Sequence, residues 1–325
     1  MAKYKVVVTD LGYQTYDYEK NVLKEVGAEV VLANAHTEDE GIKACKDADG
    51  ILNRTTPMTA KVIAALEKCK VIARYGVGVD NVDLNAATKK GIVVANVPNY
   101  CNDEVSTLAV ALMLALARKV VSHDKAVRAG AWDIGSKDPI YRTAGKTLGL
   151  VGFGRIARTV AKKMAGFEMK LLAYDPFITP EQGREAGAEM VELETVLSKS
   201  DFISIHAPMT TNTKHMINAK TLALMKPTAY LVNTSRGGLV DTAALAKALW
   251  EKRIAGAGLD VYEVEPLPMD SPLRKLDNVI LTDHAGWYSE DSIVELQTCA
   301  AMAVAAVLAG KRPESAVNPE VFARP

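Results

Sequence analysis

The stretch TLGLVGFGRIA, residues 147–157, decides the fold. Its apolar first half predicts a buried strand, and a G-x-G-x-x-A pattern follows directly, with a helix-forming run behind it. Gly152 permits the tight turn and Gly154 lets the backbone approach a pyrophosphate, while the closing Ala allows close helix–strand packing. The N–H groups of the first helical residues, Arg155 and Ile156, would hold the anion. The stretch therefore predicts a dinucleotide-binding turn.

The acidic residue that follows the next strand indicates which dinucleotide binds. This strand is predicted over Lys170–Tyr174, and Asp175 follows it directly. A carboxylate there can accept hydrogen bonds from the ribose hydroxyls of adenosine and repels a 2′-phosphate, which predicts NAD rather than NADP. The alternative is that the glycines only punctuate a strand–helix turn and that Asp175, before Pro176, only caps a turn.

Short β-branched apolar runs alternate with longer amphipathic segments along almost the whole chain, a pattern typical of parallel sheets with crossover helices. The first series of strands is predicted at Lys5–Thr9, Glu29–Leu32, Gly50–Leu52, Val71–Ala73 and Val93–Ala95. Helices are predicted between them at Tyr16–Val26, Thr37–Cys45, Ala60–Glu67 and Asp83–Lys89. A second series of strands is predicted at Thr147–Val151, Lys170–Tyr174, Phe202–Ile205, Ala229–Asn233, Ala255–Leu259 and Val279–Leu281, which makes six. Long helices are predicted from Asn102 to about Arg118 and over Tyr288–Leu308. The fold class is α/β, with a Rossmann-type cofactor domain and a smaller flavodoxin-like doubly wound domain.

Composition narrows the class of protein. A chain of 325 residues suggests about two domains. Thirty-nine basic residues balance thirty-nine acidic ones, which argues against a nucleic-acid partner. The longest apolar runs are shorter than a membrane span needs, and the first residues lack a signal-peptide core, so we expect a cytoplasmic protein without a membrane partner. The four cysteines show no metal-ligand spacing, so no metal is expected.

Three residues near the ends of late strands could perform redox chemistry on a small acid. Arg236 could clamp a carboxylate and polarise the neighbouring carbonyl, and His284 is a natural proton shuttle. A carboxylate beside the imidazole, such as Glu265, would fix its tautomer and stabilise its charged form. Taken singly, Arg236 could be a surface ion-pair residue, Glu265 a solvated one and His284 a helix cap.

These residues lie within motifs that carry a family resemblance over essentially the whole chain. The matching stretches are RYGVGVDNVD (74–83), the glycine turn, SIHAP (204–208), NTSRGG (233–238), LDVYEVEP (259–266) and His284. With them the sequence resembles an NAD-dependent D-isomer-specific 2-hydroxyacid dehydrogenase of the phosphoglycerate dehydrogenase type. The resemblance implies that Arg236 binds the substrate's carboxylate and carbonyl, that His284 is catalytic, and that Glu265 sustains it.

The resemblance also implies further contacts. Cofactor-binding residues would be Gly152, Gly154, Arg155, Ile156, Asp175, His206, Ala207, Pro208, Thr213, Thr234, Ser235, Arg236, Asp260 and His284. Substrate-binding residues would be Arg54, Tyr75, Gly76, Val77, Gly78, Arg236, His284 and Trp287. His206 could equally be a packing residue, and Arg54 could meet a second anionic group of the substrate or form a loop ion pair.

Two departures from the family pattern bear on substrate. Asp283 stands where Pro is common before the catalytic His, and its charge could act on the imidazole or point to solvent. The continuation Trp287-Tyr288-Ser289 resembles the branch that includes the C-terminal-binding-protein corepressors and differs from the small residues typical of phosphoglycerate dehydrogenases, which argues against 3-phosphoglycerate as the substrate.

The domain arrangement is likewise an expectation from the resemblance. It implies a discontinuous substrate-binding domain of residues 1–99 and 286–325, a cofactor domain of residues 100–285, and a homodimer formed through roughly 102–148. We therefore expect hydride transfer between NAD(H) and a small 2-oxo or D-2-hydroxy acid resembling glyoxylate, hydroxypyruvate or phosphohydroxypyruvate. The alternative is a non-enzymatic NAD-sensing scaffold or corepressor-like binding protein.

Overall fold

The structure is a computed structural model that describes residues 2–133 and 139–323. The chain divides into two compact units, a first unit of Met1–Cys101 with Ser289–Pro325 and a second unit of Asn102–Tyr288. The first segment of the substrate-binding domain was predicted to end at residue 99, and the first unit's segment ends at residue 101. Its second segment was predicted to begin at residue 286, and it begins at residue 289. Residues 134–138 of the predicted dimer region, and the chain ends at 1 and 324–325, lie outside the described residues.

The first unit is a doubly wound sheet with five parallel strands in the order β2-β1-β3-β4-β5, which is the flavodoxin-like order. Its strands are β1 (Tyr4–Val8), β2 (Ala28–Leu32), β3 (Gly50–Asn53), β4 (Val71–Arg74) and β5 (Val93–Ala95). Its helices are α1 (Asp17–Lys24), α2 (Glu38–Cys45), α3 (Ala60–Ala65), α4 (Leu84–Lys90) and α12 (Glu290–Leu308). All five predicted strands are present. Helix ends follow local chemistry, since Thr37 and Glu40 form a capping box at α2 and Gly91 closes α4 in the left-handed conformation.

Helix α12 returns the end of the chain to the first unit. It begins at a capping box of Ser289 and Ser292 and packs against α1 and strands β3 to β5. Its length and hydropathy would allow a membrane span, but Ala300, Ala301 and Val304 are fully buried in the unit's core. The apolar composition of this helix is therefore explained by packing within the first unit.

The second unit contains a seven-stranded parallel sheet in the order β12-β11-β10-β9-β6-β7-β8. Its strands are β6 (Thr147–Val151), β7 (Lys170–Tyr174), β8 (Glu189–Met190), β9 (Phe202–Ile205), β10 (Tyr230–Asn233), β11 (Gly256–Leu259) and β12 (Val279–Leu281). Its helices are α5 (Asn102–Ala117), α6 (Val120–Arg128), α7 (Arg155–Met164), α8 (Pro180–Glu185), α9 (Leu193–Lys199), α10 (Ala219–Leu222) and α11 (Thr242–Trp250). The order matches a dinucleotide-binding sheet with one additional edge strand. The α/β fold class is confirmed.

Two elements differ from the sequence prediction. The predicted count of six strands was wrong, because β8 is a two-residue edge strand beside β7, too short to give an apolar pattern. Helix α6 was not predicted, and it is separated from α5 by Lys119 in the left-handed conformation (φ 52°). No residue of α6 is buried, so the helix contributes no side chain to the core of the second unit.

Candidate active site

The glycine turn between β6 and α7 has the geometry of an anion cradle. Gly152 has φ 84°, and a Cβ there would lie 2.6 Å from the backbone nitrogen of Ala207, so only glycine fits. Gly154 is the N-cap of α7, and no side chain caps the helix there. A Cβ built on Gly154 would have no atom within 4 Å, so the space in front of the helix is open. The first N–H groups of α7, at Arg155 and Ile156, therefore remain available for a phosphate.

Asp175 follows β7 and braces this turn. Its Oδ2 accepts a hydrogen bond from the N–H of Phe153 at 2.8 Å, and its Oδ1 accepts one from the N–H of Phe177 at 2.9 Å. The carboxylate thus places a fixed negative charge beside the glycine turn, where it disfavours a 2′-phosphate.

The residues after β9 and β10 also fit a dinucleotide. The hydroxyl of Thr234 is buried and has no hydrogen-bond partner among the described residues, so a bound ligand could satisfy it. Ser235 Oγ donates to the carbonyl of Ala207 at 2.7 Å, which ties the two loops together. Thr213 Oγ1 donates to the carbonyl of Pro208 at 2.7 Å and folds that loop on itself.

His206 lies at the end of β9 and is held as a neutral residue. Its Nε2 lies 2.9 Å from the hydroxyl of Ser204, and burial lowers the pKa of His206 to about 4. A histidine with this pKa carries no charge near neutral pH, so it is unsuited to proton transfer there.

The low pKa of His206 gives a pH prediction. Because the group stays neutral between about pH 5 and 9, His206→Asn should leave the shape of the kcat/KM profile against pH unchanged. Initial rates of wild type and variant across this pH range would give the two kcat/KM profiles. Loss or displacement of a limb of the profile in the variant would contradict the assignment.

The structure brings the predicted His and Glu together. His284 Nδ1 lies 2.7 Å from Glu265 Oε2, and Glu265 Oε1 accepts the N–H of Tyr262 at 2.9 Å. A carboxylate only accepts, so Nδ1 carries the proton of this bond and Nε2 faces away for other chemistry. Partial burial acts to raise the pKa of Glu265, but hydrogen bonds from His284 and Tyr262 and the charge of Arg236 bring it below its usual range.

Asp260 fixes the segment that carries His284. It is 1% exposed, its Oδ1 accepts from Thr282 Oγ1 (2.6 Å) and the N–H of Ala285 (2.9 Å), and its Oδ2 accepts from the N–H of Gly286 (2.9 Å). His284 between these anchors adopts φ 60°, a left-handed conformation that costs a non-glycine residue on the order of 1 kcal/mol. The resemblance implied a cofactor contact for Asp260, and in the structure its carboxylate holds the His284 segment.

Arg236 lies directly after β10, and its loop is held by Asn233. The Asn233 side chain donates to the carbonyl of Arg236 (2.9 Å) and accepts the N–H of Ser235 (3.0 Å). Arg236 Nη1 donates to the carbonyl of Ser235 at 2.8 Å, and its charge acts on Glu265. The guanidinium is thus placed on the same side of the unit as the His284–Glu265 pair.

Within the first unit, Arg54 and Arg74 lie at the carboxyl ends of neighbouring strands β3 and β4. Arg54 stands over the ring of Tyr13 at 5.8 Å, and its own N–H donates to Asp10 Oδ1 at 3.0 Å. Burial raises the pKa of Tyr13 above its usual range although the charges of both arginines oppose this. No carboxylate pairs with the Arg54 guanidinium in the described part of the chain.

The turn after β4 contains the other predicted substrate contacts. Tyr75 is 2% exposed and its hydroxyl donates to the buried Glu19 at 2.7 Å, so its side chain anchors the turn from inside. The N–H of Gly76 donates to the carbonyl of Arg74 at 2.9 Å. Among the described residues no acceptor is found for the N–H groups of Val77 and Gly78, which makes these two the ones open to an anion.

The residues on either side of His284 differ in exposure. Asp283 is exposed, and Trp287 is partly buried with its ring 5.7 Å from that of Tyr288 in an edge-to-face pair. Sequence reasoning missed Tyr262 and Asn233 as organisers of the site, although both lie inside the motifs that it quoted.

A glycine turn for pyrophosphate, a ribose-selecting acid and an arginine beside a His–carboxylate pair define a nicotinamide-dependent dehydrogenase. Residues 110–286 match the family model described as "D-isomer specific 2-hydroxyacid dehydrogenase, NAD binding domain". The chain belongs to this family and is an NAD-dependent oxidoreductase of 2-oxo and D-2-hydroxy acids. The predicted family, reaction class and cofactor are confirmed.

Individual relatives agree with this placement. The chain is 44% identical over 284 residues to the glyoxylate reductase of Korarchaeum cryptofilum, covering 86% of each chain. It is 42% identical to the D-3-phosphoglycerate dehydrogenase of Methanocaldococcus jannaschii over 97% of this chain, but it spans only 59% of that relative. The D-lactate dehydrogenase of Aquifex aeolicus, solved with NAD and lactic acid, superimposes with a TM-score of 0.84 at 29% identity, covering 98% of this chain and 97% of that one.

Proposed function

We propose that this protein reduces a short 2-oxo acid to its D-2-hydroxy acid, with His284, Glu265 and Arg236 as its catalytic residues. The 2.7 Å contact between His284 Nδ1 and Glu265 Oε2 carries the proposal, because it leaves Nε2 as the proton donor. The nicotinamide supplies the hydride when it is bound.

His284 acts as the general acid in reduction. Its Nε2 gives a proton to the carbonyl oxygen of the substrate as that oxygen gains negative charge. Glu265 stays ionised near neutral pH, since its pKa lies below its usual range, and so it stabilises the imidazolium before transfer. In the oxidation direction the same nitrogen takes the proton back.

Arg236 binds and orients the acid. A guanidinium presents a planar fork of donors that matches a carboxylate, and it polarises the neighbouring carbonyl. Asn233 and the adjoining backbone hold its loop, so the charge is in place before substrate arrives.

The first unit is proposed to bind substrate through the N–H groups of Val77 and Gly78 and through Arg54. The two N–H groups suit a carboxylate. The guanidinium of Arg54 meets no carboxylate among the described residues and lies near Arg74, which favours an anionic group on the substrate's third carbon, as in 3-phosphohydroxypyruvate, over the smaller glyoxylate or hydroxypyruvate. Names among the relatives include both glyoxylate reductase and D-3-phosphoglycerate dehydrogenase.

A panel of 2-oxo acids tests the proposal. NADH consumption would be followed with glyoxylate, hydroxypyruvate, 3-phosphohydroxypyruvate, pyruvate and an aromatic homologue. We expect turnover on short members, with the highest kcat/KM for the phosphorylated one. Turnover on none of them, with NADH still bound, would favour the alternative of an NAD-sensing scaffold or corepressor-like protein.

Assembly and location are part of the proposal. Helix α6 has no buried residue, and Trp132 beyond it is 90% exposed, so this region offers apolar surface for a second copy of the chain. We propose a homodimer in the cytoplasm without nucleic-acid or membrane partners. Light scattering of the purified protein would report the mass of the assembly.

A further inference from the structure

The second unit contains another His–Glu pair, His215 with Glu263, whose glutamate lies two positions before Glu265 in the sequence. His215 Nε2 lies 2.5 Å from Glu263 Oε1, and the other oxygen, Oε2, accepts the N–H of Thr242 at 2.8 Å. Glu263 belongs to the segment after β11, His215 to the segment after β9, and Thr242 begins α11 after β10. One carboxylate thus ties together the segments that follow three neighbouring strands.

Both histidines of these pairs are held in the same unusual backbone conformation. His215 has φ 50° and His284 has φ 60°, two of the few described non-glycine residues in the left-handed region. The backbone of His215 is fixed on both sides, since its N–H donates to the carbonyl of Gly238 (2.9 Å) and its carbonyl accepts from Asn218 Nδ2 (2.8 Å). Such a conformation persists only where the surroundings enforce it, and here it directs the imidazole to Glu263.

The segment that carries both glutamates is fixed at Tyr262, the residue directly before Glu263, while Val264 between the two glutamates is exposed. A Cβ on Gly237 would lie 1.8 Å from the carbonyl carbon of Tyr262, which shows how closely the loop after β10 presses on this segment. Tyr262 also donates its hydroxyl to the carbonyl of Thr282 (2.7 Å) and its N–H to Glu265. The backbone that Glu263 anchors is therefore the backbone that presents Glu265 to His284.

The charge state of Glu263 suits an anchor. Partial burial acts to raise its pKa, but hydrogen bonds from Thr242 and His215 outweigh this and bring the pKa of Glu263 below its usual range. An ionised carboxylate accepts both hydrogen bonds at once, and such charge-assisted bonds are stronger than neutral ones.

We propose that His215 and Glu263 form a clamp that positions the catalytic Glu265 against His284. Neither residue of the clamp touches the reacting atoms, so both are positioning residues. The inference rests on the proposed roles of His284 and Glu265, and it adds two residues that the sequence motifs did not assign to the site.

Kinetics of three variants test the clamp in the full chain. Glu263→Ala and His215→Ala should lower kcat for the best 2-oxo acid by about 10- to 100-fold, while KM and the Kd for NADH stay near wild type. Glu263→Gln should retain most of the turnover, because an amide oxygen can still accept the Thr242 N–H. Glu181→Ala is the matched control, since it removes an exposed carboxylate of the same unit that pairs with Arg184 at 2.7 Å.

A second readout needs no substrate. The chain has five histidines, so ¹⁵N-histidine labelling gives few ring signals, and the Nδ1–H of His284 is identified by its absence from His284→Asn. We expect this signal to shift or broaden in Glu263→Ala and His215→Ala and to be retained in Glu263→Gln. Variants that lose Tm, kcat and NADH binding together while the His284 signal is unchanged would overturn the clamp. So would variants of normal Tm that keep both kcat and the signal.

The two proposals fail in distinguishable ways. Undiminished turnover in His284→Ala would contradict the proposed function, and the ring signal of His284 would still decide whether His215 and Glu263 control the position of Glu265.

Discussion

Replacing His284 with alanine is expected to lower kcat for reduction of the best 2-oxo acid by about 10²–10⁴-fold, the contribution typical of a positioned general acid. The variant has no group to protonate the developing alkoxide, yet His284 is not part of the glycine turn that receives the pyrophosphate. NADH affinity, measured by quenching of protein fluorescence, should therefore stay near that of wild type. Stopped-flow single turnovers would place the loss in the chemical step.

The companion variant Glu265→Gln separates charge from hydrogen bonding. The amide keeps a polar partner for Nδ1 but removes the negative charge that favours the imidazolium. Reduction uses the proton that His284 donates, so kcat for reduction should fall in the variant, and initial rates at saturating NADH would measure the loss. A kcat equal to that of wild type would show that the carboxylate charge does not act on His284. His36→Ala is a suitable control because it removes an exposed histidine of the first unit, outside the proposed dimer region.

Replacing Arg236 with lysine is expected to reduce kcat/KM by about 100-fold, with most of the change in KM. Lysine keeps the charge but loses the planar fork, and a bidentate bond to a carboxylate is worth roughly 3 kcal/mol, which corresponds to about two orders of magnitude. Initial rates across substrate concentrations at saturating NADH would measure the split. Arg184→Lys, in an exposed pair of the second unit, is the matched control.

The outcome for Arg236 discriminates between roles. Unchanged kcat/KM in Arg236→Lys would mean that a simple positive charge suffices and that the substrate is not held bidentately. A loss confined to NADH affinity would assign Arg236 to the cofactor instead.

Much of the cofactor unit could be predicted from sequence because its signals are local. Strands β6, β7, β9 and β12 begin and end at the predicted residues, since each is a short apolar run closed by a polar residue or glycine. The predicted turn geometry at Gly152 is matched by its positive φ and by its contact with the backbone of Ala207.

Features that depend on distant parts of the chain could not be predicted. The His215–Glu263 contact joins residues 48 positions apart, and the motif that contains Glu263 does not indicate which side chain it contacts. The anchoring of the His284 segment by Asp260 depends on how the ends of β11 and β12 approach each other. The N–H of Gly76 likewise looked available in sequence but is used within its own turn.

Stereospecific oxidation tests the central claim most directly. NAD reduction would be measured with D-glycerate and with L-glycerate, using wild type and His284→Ala at equal concentration. We predict turnover of the D enantiomer by wild type, little with the L enantiomer, and a loss of the D activity in the variant. Equal rates on both enantiomers, or a D rate that persists in His284→Ala, would contradict the account.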